Sequence, residues 1–514
     1  MERYFLGIDI GTFESRGILI DESFRVAADA SVPHGMDNPQ PGWFEQDAEA
    51  VWWGDLCKLC RTLIKQSEIR PEQIACVGTS ALGTDCLPVD EQCRPLRPAI
   101  LYGIDARASE EAAWLTEHYG QARVQELFGH PICSGDTATK ILWLRRHEPE
   151  IYAKTAYFLT GSSFLTARLT GKYVIDQSLA KGSFRPLYQA DGSVNEAECG
   201  LYCRPDQIAA CAWSTDIVGT VTPEAAAQTG LAAGTPVITG TGDSTAEAIS
   251  VGLVEPGTAF FQYGSSMFYY YCTDRFVGSY VSPQGNGTLK GGKAFTVPGT
   301  YCLGDGTNAA GTLTRWVRDL LYSKELDAEK QGGENAYAVM AREAAAVPPG
   351  SDGLIMLPYI YRELSPLQDA EATGMLFGLK GTHGRAQINR AALEAVGYST
   401  YQHLLLFEEL GVPPRRIITA GGGTKNAAWM QIICDMAGMP LTIPEPFQCS
   451  SYGDAMLAAL GIGALESFAA LCAALPQGRI LQPDRKNHEF YQEHYPIFRD
   501  LYLENRDRMH RMQK

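Results

Sequence analysis

No stretch of this sequence is long and apolar enough to span a bilayer, which excludes a helical membrane protein. Basic residues are in deficit: 43 Lys and Arg against 59 Asp and Glu leave a formal net charge of −16. A reader of phosphate backbones needs clustered cations, so no nucleic-acid partner is expected. A small anionic ligand stays open, because backbone amides hold phosphate without formal charge. The opening Met1-Glu-Arg-Tyr-Phe-Leu-Gly-Ile-Asp9 carries charge where a signal peptide needs an apolar core, so a cytoplasmic protein is expected. The 14 cysteines are dispersed and read as reduced thiols. Cys57 and Cys60 fall in a helical stripe with Trp52, Leu56, Leu59 and Leu63, as small core residues do. Cys199 and Cys203 do not complete a zinc spacing with them.

At 514 residues the chain exceeds one ordinary core, so two or more domains are expected. Its most informative stretch is Pro236 to Glu247, Pro-Val-Ile-Thr-Gly-Thr-Gly-Asp-Ser-Thr-Ala-Glu. A β-branched run is broken by Gly240 and Gly242, and a helix follows at once. Ser244 and Glu247 have capping-box spacing. Asp243 then lies at a strand mouth beside a helix N-terminus, whose partial positive charge favours an ionised carboxylate ready to accept a proton. An N-cap alone would explain an isolated motif of this kind, so the rest of the chain must decide.

Near the N-terminus, Tyr4 to Ile20 reads as strand, tight Gly11-Thr12 turn, strand, with Asp9 before the bend and Arg16 after it. Such a turn offers amides and a hydroxyl to phosphate oxygens. Thr258 to Tyr271 repeats the pattern around Gly264-Ser265, and Ile418 to Trp429 has the look of Ile238 to Ile249. Paired echoes on either side of residue 250 predict a duplicated α/β unit facing itself across a cleft. A strand is expected over 74–79 and a long helix over 387–411, closed by Gly411 and Pro413-Pro414. Residues 191–205 and 323–334 read as surface loops, and the last thirty or so as peripheral helices.

The motifs together resemble the FGGY carbohydrate kinases, the family of xylulose, ribulose, gluconate and glycerol kinases, with the pentulose branch nearest. Gly7-Ile-Asp9-Ile-Gly11-Thr12 is similar to its first phosphate turn, and Gly42-Trp-Phe-Glu45-Gln46-Asp47 to its Gly-Trp-x-Glu-Gln stretch. The run from Gly135 through Lys140 and Trp143 to His147 matches the first family signature. Gly374-Met-Leu-Phe-Gly378 with Gln387 to Glu394 matches the second. The resemblance covers nearly the whole length in order, and it implies an actin-like, ribonuclease-H-like α/β fold in both domains. The boundaries it suggests are 1–250 for a sugar-binding half carrying the base, 251–465 for a nucleotide-binding half, and 466–514 for a helical extension packed on the second.

The same resemblance implies site residues. Asp243 corresponds to the general base. Gly11, Thr12 and Arg16 correspond to one phosphate loop, and Gly264 and Ser265 to the other. Gly311, Gly422 and Asn426 correspond to nucleotide contacts, and Asp9 to an acidic position associated with Mg²⁺. The partners implied are ATP and a small sugar, with a homodimer one candidate assembly. Departures gather at the sugar end. Leu82-Gly83-Thr84 replaces Gln-Met-His or Gln-Arg-Glu, Tyr102-Gly-Ile-Asp105-Ala-Arg107 replaces Trp-Asn-Asp-Gly-Arg, and Arg362-Glu363-Leu364 replaces Gly-Glu-Arg. Thr84, Asp85, Asp105 and Arg107 are the expected sugar contacts beside Asp243. Arg362 is expected to be a structural cation, and Trp43 and Trp143 core aromatics. The expected reaction is phosphorylation of a ketose. A polyol or aldonate kinase is the enzymatic alternative, and an inactive ATP-binding sensor the non-enzymatic one.

Overall fold

Strand β1 (Tyr4–Ile10) is buried along almost its whole length, because elements cover both faces of its sheet. A computed structural model describes residues 2–446 and 449–513. In the first half, β2 (Glu14–Asp21) and β3 (Val26–Pro33) continue antiparallel from β1. On its other side lie β4 (Ile74–Ala81), parallel to β1, β5 (Ile217–Thr220) and β6 (Pro236–Ile238), in the order β5-β6-β4-β1-β2-β3. A short β7 (Thr241–Gly242) also pairs with β4. Helix α1 (Gly54–Ser67) lies on β2 and β3 and buries Leu56, Leu59, Cys60 and Leu63 of the expected stripe, while Cys57 is only half-buried and Trp52 lies just ahead of the helix. Helix α2 (Asp243–Ser250) follows β7.

The second half repeats the plan. Its strands are β8 (Thr258–Tyr263), β9 (Met267–Thr273), β10 (Lys293–Ala294), β11 (Tyr301–Thr307), β12 (Arg416–Ala420), β13 (Leu441–Ile443) and β14 (Arg479–Leu481), in the order β10-β11-β9-β8-β12-β13-β14. In both sheets an antiparallel triplet leads to two further parallel strands and then an antiparallel edge. That is the duplicated, two-domain, actin-like arrangement expected from the sequence. Helices α3 (Gly311–Leu321), α4 (Arg385–Glu409), α5 (Ala427–Ala437), α6 (Ser450–Gly461) and α7 (Arg485–Met512) complete the part used below. Tyr491, Tyr495, Phe498 and Leu501 of α7 join the core of the second half.

Topology corrects one expected equivalence. β6 with α2 does not correspond to β12 with α5, because β12 is the strand next to β8, as β4 is the strand next to β1. The counterpart of β6–α2 is β13–α6. These two helices meet between the sheets, where Ile249, Ala248, Tyr452, Ala455 and Ala459 share a core with Phe5, Ile18, Phe260 and Ile418. Glycines set the approach: a Cβ on Gly453 would stand 1.9 Å from the Ala246 carbonyl oxygen, and one on Gly7 1.8 Å from that of Ser451.

Two stretches read as loops also carry helices, Glu196–Tyr202 and Ser323–Lys330. Both are short, and Ser323–Lys330 is strongly polar, so no long apolar period marked them.

Candidate active site

The capping box expected at α2 does not form. The helix begins at Asp243 itself, and Gly242 precedes it with no side-chain cap. Glu247 instead accepts a hydrogen bond from Gln262 Nε2 at 2.6 Å, and Ser244 Oγ pairs with the Tyr270 hydroxyl at 2.9 Å. Both contacts reach strands of the second sheet, so tertiary partners outcompete the local cap. Gly240 makes the turn before the helix at φ +78°, where a Cβ would meet the Thr79 carbonyl oxygen at 2.2 Å.

Asp243 opens onto a cavity of about 560 Å³ with walls from both halves. Asp9, Thr12, Thr84, Tyr102 and Ser178 come from the first half, and Gln262, Tyr270 and Lys293 from the second. One Asp243 oxygen accepts the Ser244 amide at 2.6 Å. That bond favours the charge, as the helix-terminus argument anticipates. Desolvation by the cavity walls is larger and holds the carboxyl above the usual carboxylate range. Burial raises Asp9 to about 8, assisted by the nearby charge of Asp243, with the Ser80 hydroxyl opposing. Burial and then the Asp243 charge raise Glu247 to about 7.

Beneath this floor Ser80 Oγ lies 2.9 Å from Asp9 Oδ1 and 2.6 Å from Asp454 Oδ2. A hydroxyl has one proton to donate. With both carboxyls ionised, one oxygen would face a lone pair, so one of them keeps a proton. Asp454 is fully buried and is raised well above its ordinary range, first by burial and then by the Asp9 charge. Ser80 thus donates to one of the two carboxyls and accepts from the other, and a proton is held within the Asp9–Ser80–Asp454 chain.

A second cavity of about 560 Å³ lies wholly in the second half. Gly264, Ser265, Gly311, Gly422 and Asn426 all line it, with Leu393, Met340 and Trp429 as apolar wall. The Gly311 amide donates to the Gly264 carbonyl and the Thr312 amide to that of Ser265, each at 2.9 Å. The β8–β9 turn is thereby fixed to the start of α3. A Cβ on Gly311 would lie 2.4 Å from Gly264 O. Asn426 Oδ1 caps α5 by accepting the Trp429 amide at 3.1 Å. The cavity thus has a flat apolar side and a rim of glycine amides, a combination suited to a base and its phosphates.

Other expected site residues are placed differently. Thr12 lines the first cavity, its hydroxyl 3.2 Å from that of Tyr102. Gly11 forms the adjoining turn through its amide to Glu14 O at 3.1 Å. Arg16 pairs with Glu14 at 2.7 Å, largely in solvent, and lines neither cavity. Thr84 lines the first cavity, and its carbonyl accepts Lys140 Nζ at 2.6 Å. Asp85 is fully buried behind it and does not line the cavity; burial pushes its carboxyl up, opposed by the Lys140 charge. Asp105 and Arg107 do not line the cavity. They form a closed, buried ion pair at 2.8 Å, with Arg107 also bonded to Glu45 at 2.7 Å and lying 4.3 Å from the Trp43 ring centre. Trp143 is buried against Trp43.

Lys293, Ser178 and Asp454 carry no motif, and Gln262 and Tyr270 lie in the repeated strand–turn–strand of Thr258 to Tyr271 without being marked there as site residues. Each reaches the site through pairing or packing distant in sequence. Asp9, Asp243 and Glu247 supply only hard oxygen donors, suited to a hydrated divalent cation. Among the described residues no three acid, His or Cys side chains converge as a metal cage. No helix among them is long and apolar enough to cross a membrane.

Two family models match in tandem. The N-terminal domain of the FGGY family of carbohydrate kinases matches residues 4–250, and its C-terminal domain residues 263–462. The xylulose kinase of Escherichia coli (strain K12) is 29% identical over 501 residues, 97% of this chain and 98% of that one. The gluconokinase of Bacillus subtilis (strain 168) is 28% identical over 505 residues, 98% of this chain and 96% of that one. The crystal structure of xylulose kinase from Rhodospirillum rubrum superposes with a TM-score of 0.88 at 28% identity, covering 99% of this chain and all of that one.

Proposed function

Because the chain belongs to the FGGY family of carbohydrate kinases, enzymes that phosphorylate a sugar with ATP, we propose that Asp243 is the general base of that transfer here and that the substrate is an open-chain sugar, either a ketose of the xylulose or ribulose kind or a sugar acid. The observation that carries the reading is the meeting of Asp243 and Asp9 on the floor of a cavity walled by both halves. The second cavity, with its glycine rim, supports placement of ATP through Gly264, Ser265, Gly311, Gly422 and Asn426. Similarity to xylulose kinases supports the ketose. A sugar acid is the second reading, favoured by Lys293 on the cavity wall.

The sugar hydroxyl gives its proton to Asp243 as its oxygen bonds to the γ-phosphorus, while the bond from phosphorus to the β-phosphate oxygen breaks and leaves ADP. A carboxyl held above its ordinary range is a better acceptor than a free aspartate, because its proton affinity lies closer to the working pH. Gly11 and Thr12 would meet the transferred phosphoryl from the first half, and Gly264 and Ser265 from the second. We assign magnesium as the metal. When bound it would neutralise phosphate charge, and Asp9 is the side chain that would hold it, through water. The domain proposal is residues 1–250, 251–465 and an extension 466–514, supported by the packing of α7 on the second core. Dependence on ATP and 14 free thiols support a cytoplasmic location. A homodimer is the proposed assembly, tested by light scattering.

A coupled ADP-release assay over pentuloses, polyols and aldonates tests the reading. ATP binding with no turnover of any sugar would refute it.

A further inference from the structure

Lys293 is the one cationic side chain among the described residues that line the first cavity. It comes from the edge strand β10 of the second sheet and crosses to the first half, its Cδ 3.2 Å from where a Cβ on Gly182 would stand. Its ammonium lies 3.4 Å from the Tyr270 hydroxyl and 5.4 Å from the centre of that ring. Among the described residues no carboxylate forms an ion pair with it. The three acids of the cavity are engaged elsewhere: Asp9 by Ser80, Asp243 by the Ser244 amide and Glu247 by Gln262. Tyr270 is in turn occupied by Ser244. An ammonium has three donors, and one long bond to a phenol leaves the others of this half-buried side chain to water or a ligand. Its surroundings keep it charged, the Tyr270 oxygen contributing most.

The contacts of Lys293 also locate its task. They run to Gly182 and Tyr270, beside the Ser178 and Ser183 hydroxyls, with Asp243 and Asp176 near enough to feel its charge, and among the described residues none runs to the Gly11-Thr12 or Gly264-Ser265 turns. A neutral sugar would meet this cation only with hydroxyl dipoles. A carboxylate would meet it with a charge-assisted bond, roughly twice as strong as a neutral one.

We propose that Lys293 is a specificity-determining residue of the sugar subsite and that the substrate is an open-chain sugar acid, an aldonate or keto-aldonate, whose carboxylate sits against Lys293 while its reacting hydroxyl lies at Asp243. The inference rests on the sugar-kinase reading and decides between its two substrate classes.

The test uses the full chain with ATP and two sets of substrates, pentuloses and their carboxylate-bearing counterparts, gluconate and 2-ketogluconate among them. The expected kcat/KM for at least one acid exceeds that for every neutral ketose by about tenfold or more. Lys293→Met is expected to lower the acid-to-neutral ratio at least about tenfold, chiefly through KM, and Lys293→Arg to retain part of the preference. A wild-type preference for a neutral ketose overturns the proposal, as does an equal loss for both classes in Lys293→Met, which would place the lysine on the phosphate. A measurement on the wild type alone guards against a variant that fails to fold: an acid should raise the melting temperature more than an equal concentration of pentulose, and the reverse order overturns the assignment. Absence of ADP release with every sugar refutes the kinase reading itself, an outcome distinct from activity on neutral sugars only.

Discussion

Asp243→Asn keeps the size and the amide contact of the carboxyl but cannot take a proton. Its kcat is expected to fall by about 10²–10⁴-fold with ATP binding retained, measured by coupled ADP release and by calorimetry. A variant with near wild-type rate would return Asp243 to a purely structural role. Asp9 makes a prediction in pH. Its folded value of about 8 stands above the ordinary 3.8, so the folded chain holds this proton more tightly than the unfolded one. The stability linked to that proton is complete below about pH 4 and is lost as pH rises through about 8. Glu247, at about 7, acts in the same direction. The melting temperature of the ligand-free enzyme should therefore drop between about pH 6 and pH 8. Asp9→Asn should flatten that slope and melt about 2–4 °C higher at the alkaline end, the equivalent of about 1 kcal/mol in a domain of this size. Scanning fluorimetry across the range checks both. At this scale the sequence exposed Asp9, Thr12 and Asp243 because glycines mark their turns. It could not expose Lys293 or Asp454, which stand in an ordinary strand and an ordinary helix until the fold brings them to the site.

Helices α2 and α6 carry the junction between the halves, and their contact is backbone on backbone at Gly453. Gly453→Val would drive its side chain into the Ala246 carbonyl and is expected to destabilise the protein by about 1–3 kcal/mol. Thermal unfolding should register this as a lower midpoint, and a neutral result would mean that the helices can separate freely. The turn between β8 and β9 is fixed by the first residue of α3. Gly311→Ala should push the two apart and weaken nucleotide binding by about tenfold, ~1.4 kcal/mol, read by calorimetry with ADP. Strands and hairpins were legible here because β-branched runs end at Gly-hydroxyl turns. The start of α2 was misread because Glu247 has a better partner in Gln262, a residue on another sheet.

At the scale of the molecule, the first cavity takes Asp243 from one half and Lys293 from the other, while the second cavity lies entirely in the second half. Phosphoryl transfer requires the contents of both to meet with water excluded. Small-angle scattering should show the radius of gyration shrinking more with sugar and a non-hydrolysable ATP analogue together than with either alone. No such change would mean that the halves are already closed. Duplication was visible in the paired Gly11-Thr12 and Gly264-Ser265 turns. The pairing of β6–α2 with β13–α6 was not, because their sequences share no motif although their places in the sheets correspond.

The sequence by itself determined the family, the duplicated α/β plan, the phosphate turns and the candidate base, because those depend on glycine at fixed offsets and on short β-branched runs, which are local. The tertiary structure alone decided which polar residues line the cavity. Asp105 and Arg107 neutralise each other and close with Glu45 beneath Trp43, so neither lines the cavity. Lys293, delivered by an edge strand of the opposite half, forms no ion pair with a carboxylate among the described residues and stays on the cavity wall. Whether a charged side chain is spent within the fold or left for a ligand depends on which opposite charge packs beside it, and that neighbour is not encoded by spacing.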